Sequence, residues 1–340
     1  MKKLIYILFI FLLQISCDKT GTIEFTGFPV TLTLKGEKIT KEYFLNASEI
    51  HIISDSLGIF YSSTNDKNFI NLINLENFDI ISQCGIVGKG PGELINPGYL
   101  FFNKIDNAIW ISDGMKQKIY KYPLDSIIER SNFKPKVSIN YKEYGVITHF
   151  EIKDNKLSLY TGETGDYIFY QISDKTKKGI GNSLIYVPDK KYENIILSWE
   201  LFKRHPSKDL MAIAYARVDK LLIINPTGEI IKKIKGPDFI EIPDRYDVNS
   251  SIASYTTIRV DTNYIYALYS GNEGSKKDDE GNLRREDPSQ IFVFNWEGEP
   301  IKRVVLEYKT FSFDLDPKHN RIITYSAYLD EEIVCYDYEF

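Results

Sequence analysis

At 340 residues the chain is longer than one ordinary domain but suits a closed array of repeats. With 43% hydrophobic and 26% charged residues it can bury a core, which excludes a disordered chain. The net charge is -5, with acids and bases mixed along the sequence and no long basic run, so nucleic acid is excluded as a partner.

The N-terminus reads as an export signal. Lys2 and Lys3 are followed by the apolar stretch Leu4 to Leu13, broken only by Tyr6, then by Ser16-Cys17 and the polar run Asp18-Lys19-Thr20. About a dozen apolar residues are too few to span a bilayer. The arrangement resembles a bacterial lipoprotein signal, in which a small residue precedes the acylated Cys. Gln14 stands where such signals usually carry Leu, but Gln14-Ile15-Ser16 also lacks the small-x-small pattern of ordinary secretory cleavage. The expected organisation is a signal peptide over 1–16, a lipid-anchored linker over 17–22 with Cys17 acylated, and one folded body over 23–340. Cys84 and Cys335 sit in apolar strand patterns and are expected to be buried free thiols.

From Glu49 onward short alternating runs are broken by Asn, Asp, Gly and Pro, which predicts strands and turns. The 24 Tyr and 20 Phe agree with that preference. One strand recurs as Ile59-Phe60-Tyr61, Ala108-Ile109-Trp110, Leu157-Ser158-Leu159, Ala212-Ile213-Ala214, Ile265-Tyr266-Ala267 and Ile322-Ile323-Thr324. A tight turn then recurs at Asn74, Asp125, Asp174, Asn225, Asn295 and Asp337. The spacing is close to the length of a propeller blade, with one long step explained by a charged insertion at 271–289. The predicted fold is all-β: a six-bladed β-propeller of four-stranded antiparallel blades. Only three residues follow Asp337, so the last blade lacks an outer strand. The alternating segment Thr22 to Leu34 is expected to supply it and close the ring.

Ile265 to Ser270 followed by Gln290 to Pro300 resembles the TolB-like six-bladed propeller lipoproteins of Bacteroidota. Gly88-Lys89-Gly90-Pro91-Gly92-Glu93, with Asn96-Pro97, is similar to the glycine-rich loop of such exported propellers. The resemblance implies a fold and an envelope location, at the outer membrane or cell surface; it carries no activity. Asp55-Ser56-Leu57 and Asp125-Ser126-Ile127 are similar to the Bacteroidota O-glycosylation acceptor, with Ser56 and Ser126 as acceptors.

In a propeller, blade-to-blade connections and middle hairpin loops share one face. Loops 85–97 and 271–289 therefore fall together, while the outer strand of the last blade begins at the opposite face. Residues 18–22 reach at most about 17 Å, so the lipid is expected to hold that opposite face at the membrane.

The chemistry-bearing motifs are sparse. Gly88, Lys89, Gly90 and Gly92 could form an anion nest, but Glu93 stands in place of a third dinucleotide-fingerprint Gly, and Pro91 removes one donor. The carboxylates of the insertion lack calcium-loop spacing. His205 and His319 fall in turns; His51 and His149 fall in innermost strands, without metal-ligand spacing. Neither a cofactor nor a metal is expected, and no Gly-x-Ser-x-Gly nucleophile elbow occurs. The reading is a non-enzymatic binding module, its candidate contacts being Gly88, Lys89, Gly90, Gly92, Glu93 and Trp110, its partner an envelope protein or glycan. The rival is a carbohydrate-active lyase or hydrolase using the central funnel, which convergence of His51, His149, Glu200, Arg259 or Asp314 would favour.

Overall fold

The structure is a computed structural model that describes residues 21–41, 47–62, 68–130, 133–144, 147, 149–153, 156–160, 167–173, 176–182, 200–216, 218–239, 254–271, 276–277, 283–284, 289–326, 329 and 333–340. Three short strands come first: β1 (Gly21–Ile23), β2 (Val30–Leu34) and β3 (Glu37–Ile39). The first sheet holds β4 (Glu49–Ile52), β5 (Leu57–Tyr61), β6 (Ile70–Asn74) and β7 (Ile80–Cys84) in that order. The second holds β8 (Pro97–Asn103), β9 (Ala108–Asp113), β10 (Lys118–Pro123) and β11 (Ser138–Asn140), and the third β12 (His149–Lys153), β13 (Lys156–Tyr160), β14 (Tyr167–Ser173) and β15 (Thr176–Asn182).

The fourth sheet is built from β16 (Glu200–Arg204), β17 (Met211–Tyr215), β18 (Lys220–Ile224) and β19 (Ile230–Lys235). The fifth uses β20 (Tyr255–Val260) and β21 (Tyr264–Tyr269). It resumes, after the small hairpin β22 (Lys276–Lys277) and β23 (Leu283–Arg284), with β24 (Gln290–Asn295) and β25 (Pro300–Leu306). The sixth holds β26 (Ser312–Asp316), β27 (Arg321–Tyr325) and β28 (Ile333–Asp337). Each recurring strand of the sequence is the second strand of one sheet.

These sheets pack in chain order around a common axis, as a propeller. The core lies between neighbours. Ile59, Tyr61, Leu72, Ile109 and Tyr122 pack between the first and second sheets, and Ala108, Trp110, Phe150 and Leu159 between the second and third. Tyr269, Phe292 and Leu221 fill the space between the fourth and fifth, Tyr266, Phe313 and Tyr336 that between the fifth and sixth. Ile323 and Tyr325 meet Ile50 and Phe60, so the last sheet also packs on the first. A lone strand pair is marginal in water; here each sheet is stabilised by the apolar area its neighbours cover.

The N-terminal segment departs from expectation. Thr22 to Leu34 does not complete the sixth sheet. Gly21–Ile23 runs parallel to β19 on the rim of the fourth sheet, and Val30–Leu34 parallel to β25 on the rim of the fifth. The fourth strand of the sixth sheet is Glu37–Ile39, antiparallel to β28 with Cys335 opposite Glu37 and Ile333 opposite Ile39. The segment thus pairs with three successive outer edges, which would otherwise present unpaired backbone groups. Gly36 sits where a Cβ would lie 2.5 Å from Val334 Cγ1, so close passage over β28 requires glycine there.

Two further details depart from or refine the sequence reading. Asp125 lies in a short helix, α1 (Leu124–Glu129), rather than in a tight turn. Leu124 and Ile127, one helical turn apart, are buried in the core shared by the first two sheets, and the Ser82 hydroxyl donates to the Ile127 carbonyl at 2.7 Å. The two copied turns fold identically. Asn225 Oδ1 accepts from Thr227 and Glu229 N–H, and Asn295 Oδ1 accepts from Glu297 and Glu299 N–H. Gly228 and Gly298 follow at φ 82° and 86°, a region in which a side chain is strained. Cys84 and Cys335 are free and buried, with burial pushing each thiol up to about 12. Among the described residues no helix is long and apolar enough to cross a membrane.

Candidate functional site

The innermost strands β4, β8, β12, β16, β20 and β26 all run in one direction along the axis. Alternation along each strand turns every second side chain inward. Among the described residues two cavities lie along the resulting channel. The first, of about 300 Å³, lies toward the face carrying loop 85–97 and includes Glu49, Tyr99, His149, Lys203, Thr256 and Arg259 in its wall. The second, of about 260 Å³, lies toward the face of the Asn225 and Asn295 turns and includes His51, Tyr99, Lys104, Lys203, Arg259 and Asp314. Tyr99, Lys203 and Arg259 line both and form the waist between two chambers.

Most ionisable groups of the channel are held by one another. Arg259 pairs with Asp314 at 3.1 Å and donates to the Ile50 carbonyl at 2.7 Å. Asp314 Oδ2 accepts from Ile52 N–H at 2.7 Å. His51 Nε2 lies 2.8 Å from Glu49 Oε2. Burial works against the charged form of Glu49, but the His51 hydrogen bond and the nearby charges of His51, Arg259 and Lys203 hold its carboxyl down at about 2. Burial lowers the pKa of His51, and Arg259 and Lys203 lower it further against the pull of Glu49. Burial, reinforced by Lys203, brings His149 down to about 4. Its ring packs tilted against Tyr99 at 4.5 Å between centroids.

Lys203 differs. Its ammonium donates to the Tyr99 hydroxyl at 3.2 Å and lies 5.6 Å from the ring centroid, and no described carboxylate is within ion-pair distance of it. The Thr256 hydroxyl, in the same wall, is buried without a hydrogen-bond partner. Among the described residues no group of three metal-ligating side chains occurs.

The glycine-rich loop is filled by its own acid. Gly90 N–H donates to Glu93 Oε2 at 2.8 Å, and Lys134 pairs with Glu93 Oε1 at 3.0 Å. Lys116 donates to the backbone carbonyls of Gly90 and Glu93. A Cβ at Gly88 would lie 2.3 Å from Glu93 Oε2, and Gly92 has φ 72°. Asp113 continues this framework, accepting from Ile95, Met115 and Lys116 N–H.

The sequence profile of the family described as TolB-like 6-blade propeller-like matches residues 31–318. The chain belongs to that family. Among solved structures, this TolB-like chain is similar to a protein of Bacteroides fragilis NCTC 9343 inferred to be exported, with TM-score 0.57 and 12% identity over 93% of this chain and 99% of that one. It is also similar to a DUF4221 family member from Bacteroides vulgatus ATCC 8482, with TM-score 0.58 and 11% identity over 89% and 95% of the two chains. At such identities the likeness is one of fold alone. A comparison with curated proteins finds no match.

For the TolB-like chain the candidate residues separate into three sets. His51, His149, Arg259 and Asp314 all reach the channel, while the side chain of Glu200 lies outside the described residues, as do Cys17 and most of 271–289. Gly88, Gly90, Gly92 and Glu93 build a loop satisfied from within, and Lys89 is exposed on it. Trp110 is not a surface contact. It is 6% exposed, packed between the second and third sheets, with its indole N–H donating to Asp106. Tyr269 is likewise buried, with its hydroxyl between Asp219 and Asp238. His205 caps a turn, its Nδ1 accepting from Ser207 and Lys208, and His319 pairs with Asp316. Ser56 is exposed in the β4–β5 turn, and Ser126 is half-buried on α1. Glu49, Tyr99 and Lys203 were missed by sequence reasoning. The available signal was their place in the first strand of a repeat, Glu49 two residues before His51.

Proposed function

We propose that this protein is an exported, lipid-anchored binding module of the cell envelope, and that its ligand enters the channel chamber lined by Glu49, Tyr99, His149 and Lys203. The single observation that carries this reading is the convergence of ionisable and aromatic side chains from different sheets on one cavity, held by a six-bladed ring that Glu37–Ile39 ties to the C-terminal strand. Rigid scaffolds with a few convergent polar groups in a concave pocket are the usual form of a small-molecule site. Ligand is the envelope glycan or a small molecule derived from it; no nucleic acid or cofactor is required.

The address rests on the sequence. A signal over 1–16 and acylation at Cys17 would place the lipid a few residues before Gly21. Gly21–Ile23 runs from the face of the Asn225 turn toward the opposite face. Residues 18–20 reach at most about 11 Å, so the acyl chains would hold the Asn225 face at the membrane and aim loop 85–97 and the first chamber away from it. The test is metabolic labelling with a fatty-acid analogue. Label on the wild type and none on Cys17→Ser supports the anchor, and label on both contradicts it.

A second reading, a carbohydrate-active enzyme in the same funnel, is favoured by one observation: neutral His149 beside Tyr99 and Lys203. Incubation with acidic and neutral polysaccharides, followed by reducing-end and 235 nm absorbance assays, separates the two. Turnover supports the enzyme, and saturable binding without turnover supports the module.

A further inference from the structure

We infer that the first chamber is a carboxylate-recognition site, in which the Lys203 ammonium takes the anionic group of a small acidic sugar and the Tyr99–His149 wall takes its ring. This deepens the binding-module reading and rests on it.

Charge selects the ligand class. Lys203 and Arg259 face the chamber against one described carboxylate, Glu49. Glu49 is held by His51, and Arg259 is held by Asp314 and the Ile50 carbonyl. Only Lys203 lacks a carboxylate partner among the described residues; its hydrogen bond is to a neutral phenol. An ammonium that lines a cavity with no described carboxylate within ion-pair distance can take one from a ligand, and the exchange of water for a carboxylate strengthens as a ligand fills the chamber. His149, with its pKa down at about 4, adds no positive charge at pH 7 that would demand a polyanion.

Shape and polarity select the rest. A volume of about 300 Å³ is at the small end of ligand sites and suits a molecule of one or two rings. The Tyr99 and His149 rings pack tilted against each other and both line the chamber, which fixes an aromatic wall against which the apolar face of a sugar can lie. The unpartnered Thr256 hydroxyl supplies a donor and acceptor for a ring hydroxyl. A free aromatic acid would share the carboxylate contact but leave Thr256 unmet.

The experiment is calorimetric titration of the full lipidated chain in detergent with glucuronate, glucose and benzoate, repeated on Lys203→Met and Lys203→Arg. Hydrogen exchange of β8, β12 and β16 is followed in parallel. We expect saturable binding of glucuronate, weaker binding of benzoate and none of glucose. Lys203→Met should lose about tenfold or more, the value of a hydrogen bond to a charged group, and Lys203→Arg should restore part of it. Benzoate binding as tightly as glucuronate would keep the carboxylate contact and overturn the sugar assignment. Glucose protecting the channel strands equally in wild type and Lys203→Met would overturn carboxylate recognition while leaving the channel as a binding site. No protection of those strands by any probe would overturn both. Thermal melts of each variant, expected to match the wild type, exclude misfolding as the cause of lost binding.

Discussion

Arg259 and Asp314 meet at 3.1 Å on the channel axis, joining the fifth and sixth sheets, and both reach across to the backbone of the first. Arg259 donates to the Ile50 carbonyl and Asp314 accepts from Ile52 N–H. Two side chains thereby bind three sheets where the chain's end returns to its beginning. Their side chains are only 11% and 14% exposed, so removing one partner leaves a desolvated charge without its counterpart. Asp314→Ala is expected to lower stability by about 3 kcal/mol, read by urea denaturation with an unchanged slope. A loss below about 1 kcal/mol would show that the pair does not hold the ring.

The strap made by β1, β2 and β3 should matter more than its length suggests. Truncation to Lys41 removes the fourth strand of the sixth sheet and bares the outer edges of β19 and β25. Exposed edges pair with other chains. The truncated protein is expected to melt at lower temperature and to elute as oligomers by size-exclusion chromatography. A monomer with the wild-type melt would mean that the strap is decorative.

Stability should fall as the solution is acidified, in two windows. Unfolded histidine takes its proton as pH drops through about 6.5, whereas folded His149 stays neutral until about 4, so protons favour the unfolded chain between those values. Glu49 acts lower, since its folded carboxyl titrates near 2 and the unfolded one near 4.5; stability from Glu49 is lost as pH falls through that range. His149→Asn should flatten the decline between pH 6.5 and 4 and leave the lower window unchanged. Unfolding free energies at pH 7, 5.5, 4.5 and 3 check this; an unaltered slope in His149→Asn would contradict the assignment.

Gly92 has φ 72°, and an added Cβ would lie 2.9 Å from Lys134 Cβ. Gly92→Ala is therefore expected to cost about 1 kcal/mol or more through backbone strain. Because the glycine amide at Gly90 is already occupied by Glu93, the same substitution should leave ligand affinity in the channel unchanged. A drop in affinity without a drop in stability would return the loop to the binding site.

The repeats were legible because each sheet carries the same alternation ended by a turn with a local mechanism, as at Asn225 and Asn295. The strap was half legible. That an N-terminal strand meets the last sheet was expected and is seen in the pairing of β3 with β28, but which strand does so depends on parallel backbone pairing of β1 and β2 with β19 and β25, which leaves no mark on side-chain pattern. Asp125 was read as a turn because a helix as short as α1 shows only Leu124 and Ile127 as periodic residues. His51 and His149 could be placed in the channel from strand order alone. Lys203 and Tyr99 could not be paired, since they stand on β16 and β8 and meet only because the ring brings those strands together. Trp110 was misplaced because an aromatic on a second strand faces a neighbouring sheet and not the open face.

The most direct test of the central claim is a crystal structure of the protein grown with a mixture of acidic oligosaccharides. The account predicts ordered ligand density in the first chamber, in contact with Tyr99, His149 and Lys203. Density over loop 85–97 or the rim, with the chamber holding only water, would contradict it.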